Sequence, residues 1–181
     1  PMSGFFCIQR QAYIDARDCD PVSAFGGIVA FNKEVNEDVA DEISKTFIEV
    51  LIAPGYSEKA LEILSTKKNL RVLESPPIES KGAKLKDIKK VVGGVLYQDS
   101  DDTSDEDFVD FKVATKTKPT DNQIDTLKLA WKVCKNVKSN SIVFARDNKT
   151  VGIGAGQMNR VNSVQLATIK AKEHYGTEDS V

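Results

Sequence analysis

Apolar residues recur along the first half of the chain at spacings that alternate between those of strands and those of helices. Three short apolar runs predict strands, at residues 28–31, 50–53 and 70–73. Residues 36–47 carry apolar side chains three and four positions apart, which predicts an amphipathic helix capped by Asn36. A shorter helix is predicted at 57–64. This order of strand, helix, strand, helix and strand is typical of an α/β sandwich.

The second half of the chain predicts two helices around a β-hairpin. Thr120 opens a capping box, and the helix at 120–137 places Trp131 on an apolar face that should lie in the core. Two apolar runs flank the turn residues 147–149 and predict the strands of the hairpin, at 141–146 and 150–154. A last helix should follow, with Ser163 as its cap.

Segments with few apolar residues should connect these elements on the surface. Two such connections are predicted, a lysine-rich one at 74–90 and an acidic one at 99–110. Between them, a strand at 91–97 is interrupted by two glycines. Residues 1–19 are of uncertain origin, and the unusual start Pro-Met-Ser-Gly leads us to expect a piece of a longer protein. We expect one subdomain at 20–176 and a tail at 177–181.

Composition and charge limit the kinds of function. The 181 residues are 40% hydrophobic and 29% charged, and the net charge of −2 gives no general attraction to nucleic acid or an anionic membrane. No apolar run approaches the ~18 residues of a membrane helix. Three widely spaced cysteines are expected to be reduced thiols of a cytoplasmic protein, Cys7, Cys19 and Cys134. Because His174 is the only histidine, we expect no metal site.

The ends of the predicted hairpin are the first candidate for a binding site. They should bring Asn140 close to Arg160 and to the glycine-rich residues 152–156. An amide, a guanidinium and bare backbone N–H groups would suit a planar, polar, anionic ligand. The glycines match neither the dinucleotide fingerprint nor a P-loop, and glycines at such a position often indicate only close backbone packing.

A second candidate lies at the entrance of the first predicted strands. Phe25 is followed by two glycines, which could make a stacking platform for a flat ring. A core phenylalanine beside a tight turn is the alternative, and the residues alone favour it. Glu49 lies at the entrance of the strand at 50–53, where a carboxylate is either solvated or accepts hydrogen bonds from a ligand.

Four motifs occur in the order of one known family. They are Asp-Pro-Val-Ser-Ala-Phe-Gly-Gly at 20–27, Ile-Ala-Pro-Gly-Tyr at 52–56, Lys-Ser-Asn-Ser at 138–141 and Gly-Ile-Gly-Ala-Gly-Gln-Met-Asn-Arg-Val at 152–161. Together they resemble the transformylase domain of the bifunctional AICAR transformylase/IMP cyclohydrolase family of purine biosynthesis. The resemblance implies a cytidine-deaminase-like α/β fold, a three-layer sandwich with a mixed sheet. It also implies formyl transfer from 10-formyltetrahydrofolate to the amine of the AICAR ribotide, in a homodimer and without a metal.

The resemblance also implies roles for individual residues. Two of them would line the aminoimidazole ring, Phe25 and Gly26. Glu49 would hold the carboxamide or the amine of AICAR. Asn140 is similar to the active-site asparagine of the family and is the one candidate catalytic residue. Arg160 would contact the substrate, and Val161 would begin the folate pocket.

The sequence also departs from the family. The Lys-His pair that handles the proton and the later Ser-Asp-Ala-Phe-Phe-Pro-Phe segment are absent from these 181 residues, as is the cyclohydrolase domain. We therefore expect the chain alone to have no useful formyl-transfer activity. Two alternatives are a non-catalytic ligand-binding or assembly module of the same fold, and an unrelated α/β nucleotide-binding domain. The missing phosphate-loop patterns disfavour the second alternative.

Overall fold

The computed structural model describes residues 3–76, 86–101 and 108–175, and within these ranges it describes all side chains except those of 3–8 and His174. This part of the chain forms α1 (Ser3–Asp18), α2 (Pro21–Ala24), β1 (Gly27–Ala30), α3 (Glu37–Ser44), β2 (Ile48–Ala53), α4 (Glu58–Ser65), β3 (Arg71–Glu74), β4 (Lys86–Val91), β5 (Gly94–Asp99), α5 (Asp121–Asn136), β6 (Ile142–Arg146), β7 (Lys149–Gly154) and α6 (Arg160–Tyr175). The tail and parts of both predicted surface connections lie outside the described residues.

The first half of the chain folds as its pattern predicts. Strands β1, β2 and β3 form a parallel sheet in that order, and α3 and α4 are the crossover helices. Asn36 caps α3 by accepting a hydrogen bond from the Val39 N–H at 3.1 Å. The core between sheet and helices consists of buried apolar side chains, among them Val39, Ile43, Leu51 and Leu64. The opposite face of the sheet is open, since Ile28 is 70% exposed.

The second half contains the predicted hairpin. Strands β6 and β7 pair in antiparallel fashion, and Arg146 lies opposite Lys149 across a two-residue turn. Both turn residues, Asp147 and Asn148, have positive φ (50° and 59°), which matches the right-handed twist of the strands. Helix α6 packs against β7, and α5 packs against β6. The capping box at Thr120 is present as predicted.

Two predictions about the connections are wrong. Residues 86–90 belong to strand β4 rather than to a surface connection, and the strand predicted at 91–97 is divided between the end of β4, a turn and β5, which form a hairpin. The turn of this hairpin is formed by Val92 and Gly93, and Gly93 has a φ of 83°. Gly93 therefore helps to reverse the chain, and Gly94 is the first residue of β5, opposite Val91. All residues of β4 and β5 are exposed. No buried face therefore imposes a regular pattern of apolar residues on these two strands.

Three predictions about individual side chains are also wrong. Trp131 is 54% exposed, and its indole makes an edge contact with Phe111 instead of entering the core. Phe47 lies beyond the end of α3, so it is not part of that helix's apolar face. Ser163 does not cap the last helix, because α6 begins at Arg160 and Ser163 is fully buried inside it. In each case a contact distant in the sequence decides the position.

The fold class is α/β, as predicted. Parallel and antiparallel pairing do not occur in one mixed sheet among the described residues. They are divided over a three-stranded parallel sheet and two antiparallel hairpins. An ion pair between Asp20 and Lys170, at 3.1 Å, joins the entrance of the parallel sheet to α6.

Candidate functional site

Phe25 stands at the entrance of the parallel sheet because of the short helix before it. Asp20 caps α2, with Ser23 N–H and Ser23 Oγ donating to its carboxylate at 3.2 and 2.9 Å, and Pro21 suits the first turn. The chain leaves α2 at Phe25 in an extended conformation. Burial alone would raise the pKa of Asp20, but hydrogen bonds from Ser23 and Lys170 outweigh it and lower that pKa.

The ring of Phe25 is presented to solvent. It is 67% exposed and leans on Phe47, with the ring centroids 5.1 Å apart and the planes tilted by 41°. Gly26 has a φ of 73°, and its N–H donates to the carbonyl oxygen of Phe47 at 2.9 Å. The glycine is needed because this backbone conformation is strained for other residues. An exposed, supported ring fits the stacking-platform interpretation rather than that of a core residue.

Glu49 lies close to this aromatic pair. The register of β1 and β2 shifts between Gly27 and Ile28, and Glu49 is the extra residue on β2 at that irregularity. Its side chain is exposed and, with Phe47, lines a shallow cavity of about 370 Å³. Glu49 makes no hydrogen bond or ion pair with any residue that the structure describes. We call Phe25, Gly26 and Glu49 the sheet-entrance cluster.

Asn140 is fixed at the open end of the β6–β7 hairpin. Its N–H donates to Gln157 O at 3.1 Å, and the N–H of Gln157 donates to Asn140 O at 3.3 Å. The peptide bond between Ser139 and Asn140 is cis. The side-chain Nδ2 donates to Gln157 O at 3.1 Å and to Met158 O at 3.2 Å. Both amide hydrogens are therefore used, and Oδ1 receives no hydrogen bond from the described residues.

Arg160 and Val161 form the first turn of α6, next to the Asn140 loop. Asn159 caps the helix, and its Oδ1 accepts from the Asn162 N–H at 2.8 Å. Arg160 and Val161 are exposed, and the guanidinium makes no ion pair with a described residue. A helix N-terminus adds partial positive charge to that of the arginine. We call Asn140, Arg160 and Val161 the hairpin-end cluster.

The glycines of β7 have a packing role. A Cβ at Gly152 would overlap the carbonyl oxygen of Ala167, and one at Gly154 would overlap that of Ser163. The close-packing interpretation is thus correct for both glycines. At the end of the run, Gly156 N–H donates to Lys138 O at 2.7 Å. The expected run of bare N–H groups is accordingly reduced by internal hydrogen bonds at Gly156 and Gln157.

The predicted site residues form two clusters rather than one. Among the described residues, no hydrogen bond, ion pair or ring contact joins the sheet-entrance cluster to the hairpin-end cluster. A cavity of about 1420 Å³ in the described part of the chain is lined by none of the predicted site residues. It is an apolar groove along α5 and β6, lined by side chains that include Leu127, Trp131, Phe144 and Phe111.

A charged network between α1 and α3 stabilises the packing of these two helices. Glu42 accepts from Lys45 at 2.9 Å, from Arg10 at 2.7 Å and from Arg17 at 2.9 Å, although its side chain is 7% exposed. These partners lower the pKa of Glu42 from 4.5 to about 2. The network ties α1 to α3 and involves no predicted site residue.

Comparison with known proteins identifies the family. The sequence profile of the AICARFT/IMPCHase bienzyme matches residues 6–170. The chain belongs to this family. It is 50% identical over 164 residues to the bifunctional purine biosynthesis protein PurH of Brucella ovis, and equally to those of Brucella canis and Brucella suis. Each match covers 91% of this chain and 30% of the relative, so the chain spans about a third of the length of these family members.

Among the described residues, no group of three or more His, Cys, Asp and Glu side chains could hold a metal ion. The same part of the chain contains no helix long and apolar enough to cross a membrane.

Three residues near the site were missed or misplaced by sequence reasoning. Gln157 pairs with the backbone of Asn140, Asn159 caps α6, and Ser163 reaches the Asn140 carbonyl from inside the helix. Asparagine is a common N-cap residue, and Asn159 directly precedes the first residue of α6. The sequence could therefore have identified it as the cap. Nothing local marks Gln157 or Ser163, because their partners lie across the hairpin.

Proposed function

We propose that this chain supplies part of the AICAR transformylase active site of a bifunctional purine biosynthesis enzyme. In that reaction the AICAR amine takes a formyl group from 10-formyltetrahydrofolate in a cytoplasmic homodimer. Membership of the AICARFT/IMPCHase family supports the proposal. The observation that carries it is the open Oδ1 of Asn140 beside the start of α6, where Arg160 lies.

The hydrogen bonding of Asn140 defines what it can bind. Since both Nδ2 hydrogens are held by Gln157 O and Met158 O, the side chain can offer a ligand only its carbonyl oxygen. That oxygen suits an N–H donor, such as the AICAR amine. Accepting one N–H would orient the nitrogen lone pair toward the formyl carbon. Asn140 would thus orient the nucleophile and would not stabilise the oxyanion.

Arg160 is suited to the negative charge of the substrates. Its guanidinium, which has no ion-pair partner in the described part of the chain, and the positive end of α6 favour an anion, either a phosphate or the charge that develops on the formyl oxygen. Val161, exposed in the same turn, would give the folate an apolar contact. Because Arg160 and Val161 are consecutive in α6, their side chains point about 100° apart, so nucleotide and folate would approach the same helix turn from different directions.

The sheet-entrance cluster is suited to the aminoimidazole ring. The supported, exposed ring of Phe25 offers a flat apolar face, and Gly26 beside it carries no side chain. The carboxylate of Glu49, which has no partner among the described residues, would accept hydrogen bonds from the carboxamide or amine. Because no hydrogen bond, ion pair or ring contact among the described residues joins this cluster to the hairpin-end cluster, we propose that a complete site combines clusters from two copies of the polypeptide.

The proposed chemistry needs a proton acceptor that the hairpin-end cluster lacks. The AICAR amine must lose a proton as it attacks, and neither the asparagine amide nor the arginine can take it. We therefore expect the 181-residue chain alone to show no formyl transfer above background. A formyl-transfer assay with AICAR and 10-formyltetrahydrofolate tests this, and turnover that Asn140→Ala abolishes would show the expectation to be wrong.

Calorimetric titration tests the half-site directly. The AICAR ribotide should bind the chain, ATP should not, and Asn140→Ala should weaken AICAR binding about tenfold or more, the loss of one buried-ligand hydrogen bond. Asn136→Ala is the matched control, because Asn136 is exposed and bonds only its own helix. Equal binding of AICAR and ATP, or no effect of Asn140→Ala, would favour the alternative of a non-catalytic assembly module.

A further inference from the structure

Ser163 is a buried polar residue that the proposed reaction does not use. It lies one turn into α6, and its side chain is fully buried. Its Oγ donates to the main-chain oxygen of Asn140 at 2.9 Å. Among the described residues, its only other hydrogen-bond acceptor is Asn159 O in its own helix, at 3.4 Å. The short bond across to the Asn140 loop is therefore the dominant interaction of this hydroxyl.

The position of Ser163 links two of the three members of the hairpin-end cluster, Asn140 and Arg160. Arg160 precedes it by three residues and so lies on the same side of α6. Gly154 allows β7 to approach the Ser163 backbone, which brings helix and hairpin end into direct contact. The hydroxyl thus joins the helix that carries Arg160 to the loop that carries Asn140.

We propose that Ser163 is a positioning residue that sets where the Asn140 amide stands relative to Arg160. This inference rests on the proposed function, since it assigns the role by way of Asn140. The Asn140 loop is held to the segment between β7 and α6 by its pair of backbone hydrogen bonds with Gln157 and by the bond from Nδ2 to Met158 O. Among the described residues, the Ser163 hydroxyl adds the hydrogen bond that joins this loop to α6 itself.

A structural role alone would act through stability and would not single out Asn140. The carbonyl of Asn140 keeps its bond from Gln157 N–H when Ser163 becomes alanine, so the fold should remain. Removing the hydroxyl should instead let the loop shift by a small distance, and small shifts are enough to misorient a reacting amine. A positioning role therefore predicts a change in the environment of the Asn140 amide and in ligand binding, with the chain still folded.

The first arm of the test is spectroscopic and needs no ligand. The side-chain amide signals of Asn140 in a ¹H–¹⁵N spectrum are assigned by their loss in Asn140→Asp. In Ser163→Ala these signals should shift and exchange faster with solvent. Thr168→Ala is the matched control, because it removes a hydroxyl of the same helix that bonds only Val164 O, at 2.8 Å. Unchanged Asn140 signals in a folded Ser163→Ala chain would overturn the proposal.

The second arm is a double-mutant cycle read by calorimetry with the AICAR ribotide. Ser163→Ala should weaken binding at least about threefold, and it should add nothing once Asn140 is alanine, because the two residues act as one unit. Equal losses in both backgrounds would overturn the positioning role. If the unchanged chain does not bind AICAR, the proposed function fails for this chain, and the spectroscopic arm still decides whether Ser163 positions Asn140.

Discussion

Among single residues, Glu42 shows most clearly how charge is accommodated in this chain. Its carboxylate lies in α3 beneath α1 and accepts hydrogen bonds from two arginines and a lysine. A buried carboxylate without such partners would be protonated, whereas here the partners lower its pKa to about 2. Glu49, by contrast, is exposed and has no partner among the described residues, so its carboxylate remains available to a ligand.

Glu42→Gln should therefore destabilise the chain in a pH-dependent way. At pH 7 we expect a loss of about 2 kcal/mol, less than for a fully buried pair because Arg10 and Lys45 are partly exposed. Since the folded pKa is lowered, the contribution is complete above pH 4.5 and disappears as the pH falls through about 2. Urea unfolding of both chains at pH 7, 4 and 2 measures the difference.

Asp41→Asn is the control for that experiment, because Asp41 is exposed and contacts only Lys45, at 3.7 Å. It should change the free energy of unfolding by less than about 0.5 kcal/mol. A difference between Glu42→Gln and the unchanged chain that stays constant from pH 7 to pH 2 would contradict the role given to the network.

Among the elements, the contact of β7 with α6 is the one that builds the hairpin-end cluster. Alternate positions of β7 are glycines, and they face Ser163, Ala167 and Ala171, which are all fully buried. Strand and helix can approach this closely only because no side chain lies between them. The glycine-rich motif thus acts on the proposed site indirectly, by bringing the first turn of α6 up to the Asn140 loop.

Gly154→Ala should separate these two elements. The new methyl group would overlap the Ser163 carbonyl, so we expect a loss of about 3 kcal/mol in the free energy of unfolding, at the upper end for overpacking. Gly94→Ala is the matched control in a strand, because a Cβ there meets nothing within 4 Å. Denaturant unfolding compares the two, and equal stability of both variants would contradict the close-packing role.

Across the whole molecule, two apolar surfaces have no cover among the described residues. One is the open face of the parallel sheet around Ile28, and the other is the groove that holds Trp131. Parallel sheets are usually covered on both faces. The relatives are about three times as long as this chain.

The exposure of Trp131 can be measured directly, because it is the only tryptophan. With 54% of its surface exposed, its fluorescence in the folded chain should be quenched by acrylamide at about half the efficiency found in denaturant or more. Phe111→Leu should raise the quenching further, because the ring of Phe111 covers one edge of the indole. A folded chain whose fluorescence resists acrylamide would show that Trp131 is buried after all.

The sequence by itself determined the features that depend on neighbouring residues. The caps at Asn36 and Thr120, the turn at Asp147 and Asn148, and the alternation of strands and helices in the parallel sheet all follow from local hydrogen bonds and side-chain periodicity. The family, too, is readable from four short motifs.

Only the tertiary structure decided the features that depend on distant partners. Trp131 has the spacing of a core residue, yet what covers a helix face is set by elements elsewhere in the chain. Serine is a residue type that often caps helices, but the hydroxyl of Ser163 donates to the main-chain oxygen of Asn140, 23 residues away. Closely spaced glycines such as those of β7 are typical of ligand-binding loops, but here helix α6 occupies the space beside them. A pattern in the sequence records which side chains are apolar, small or polar, whereas the fold determines which surface each of them meets.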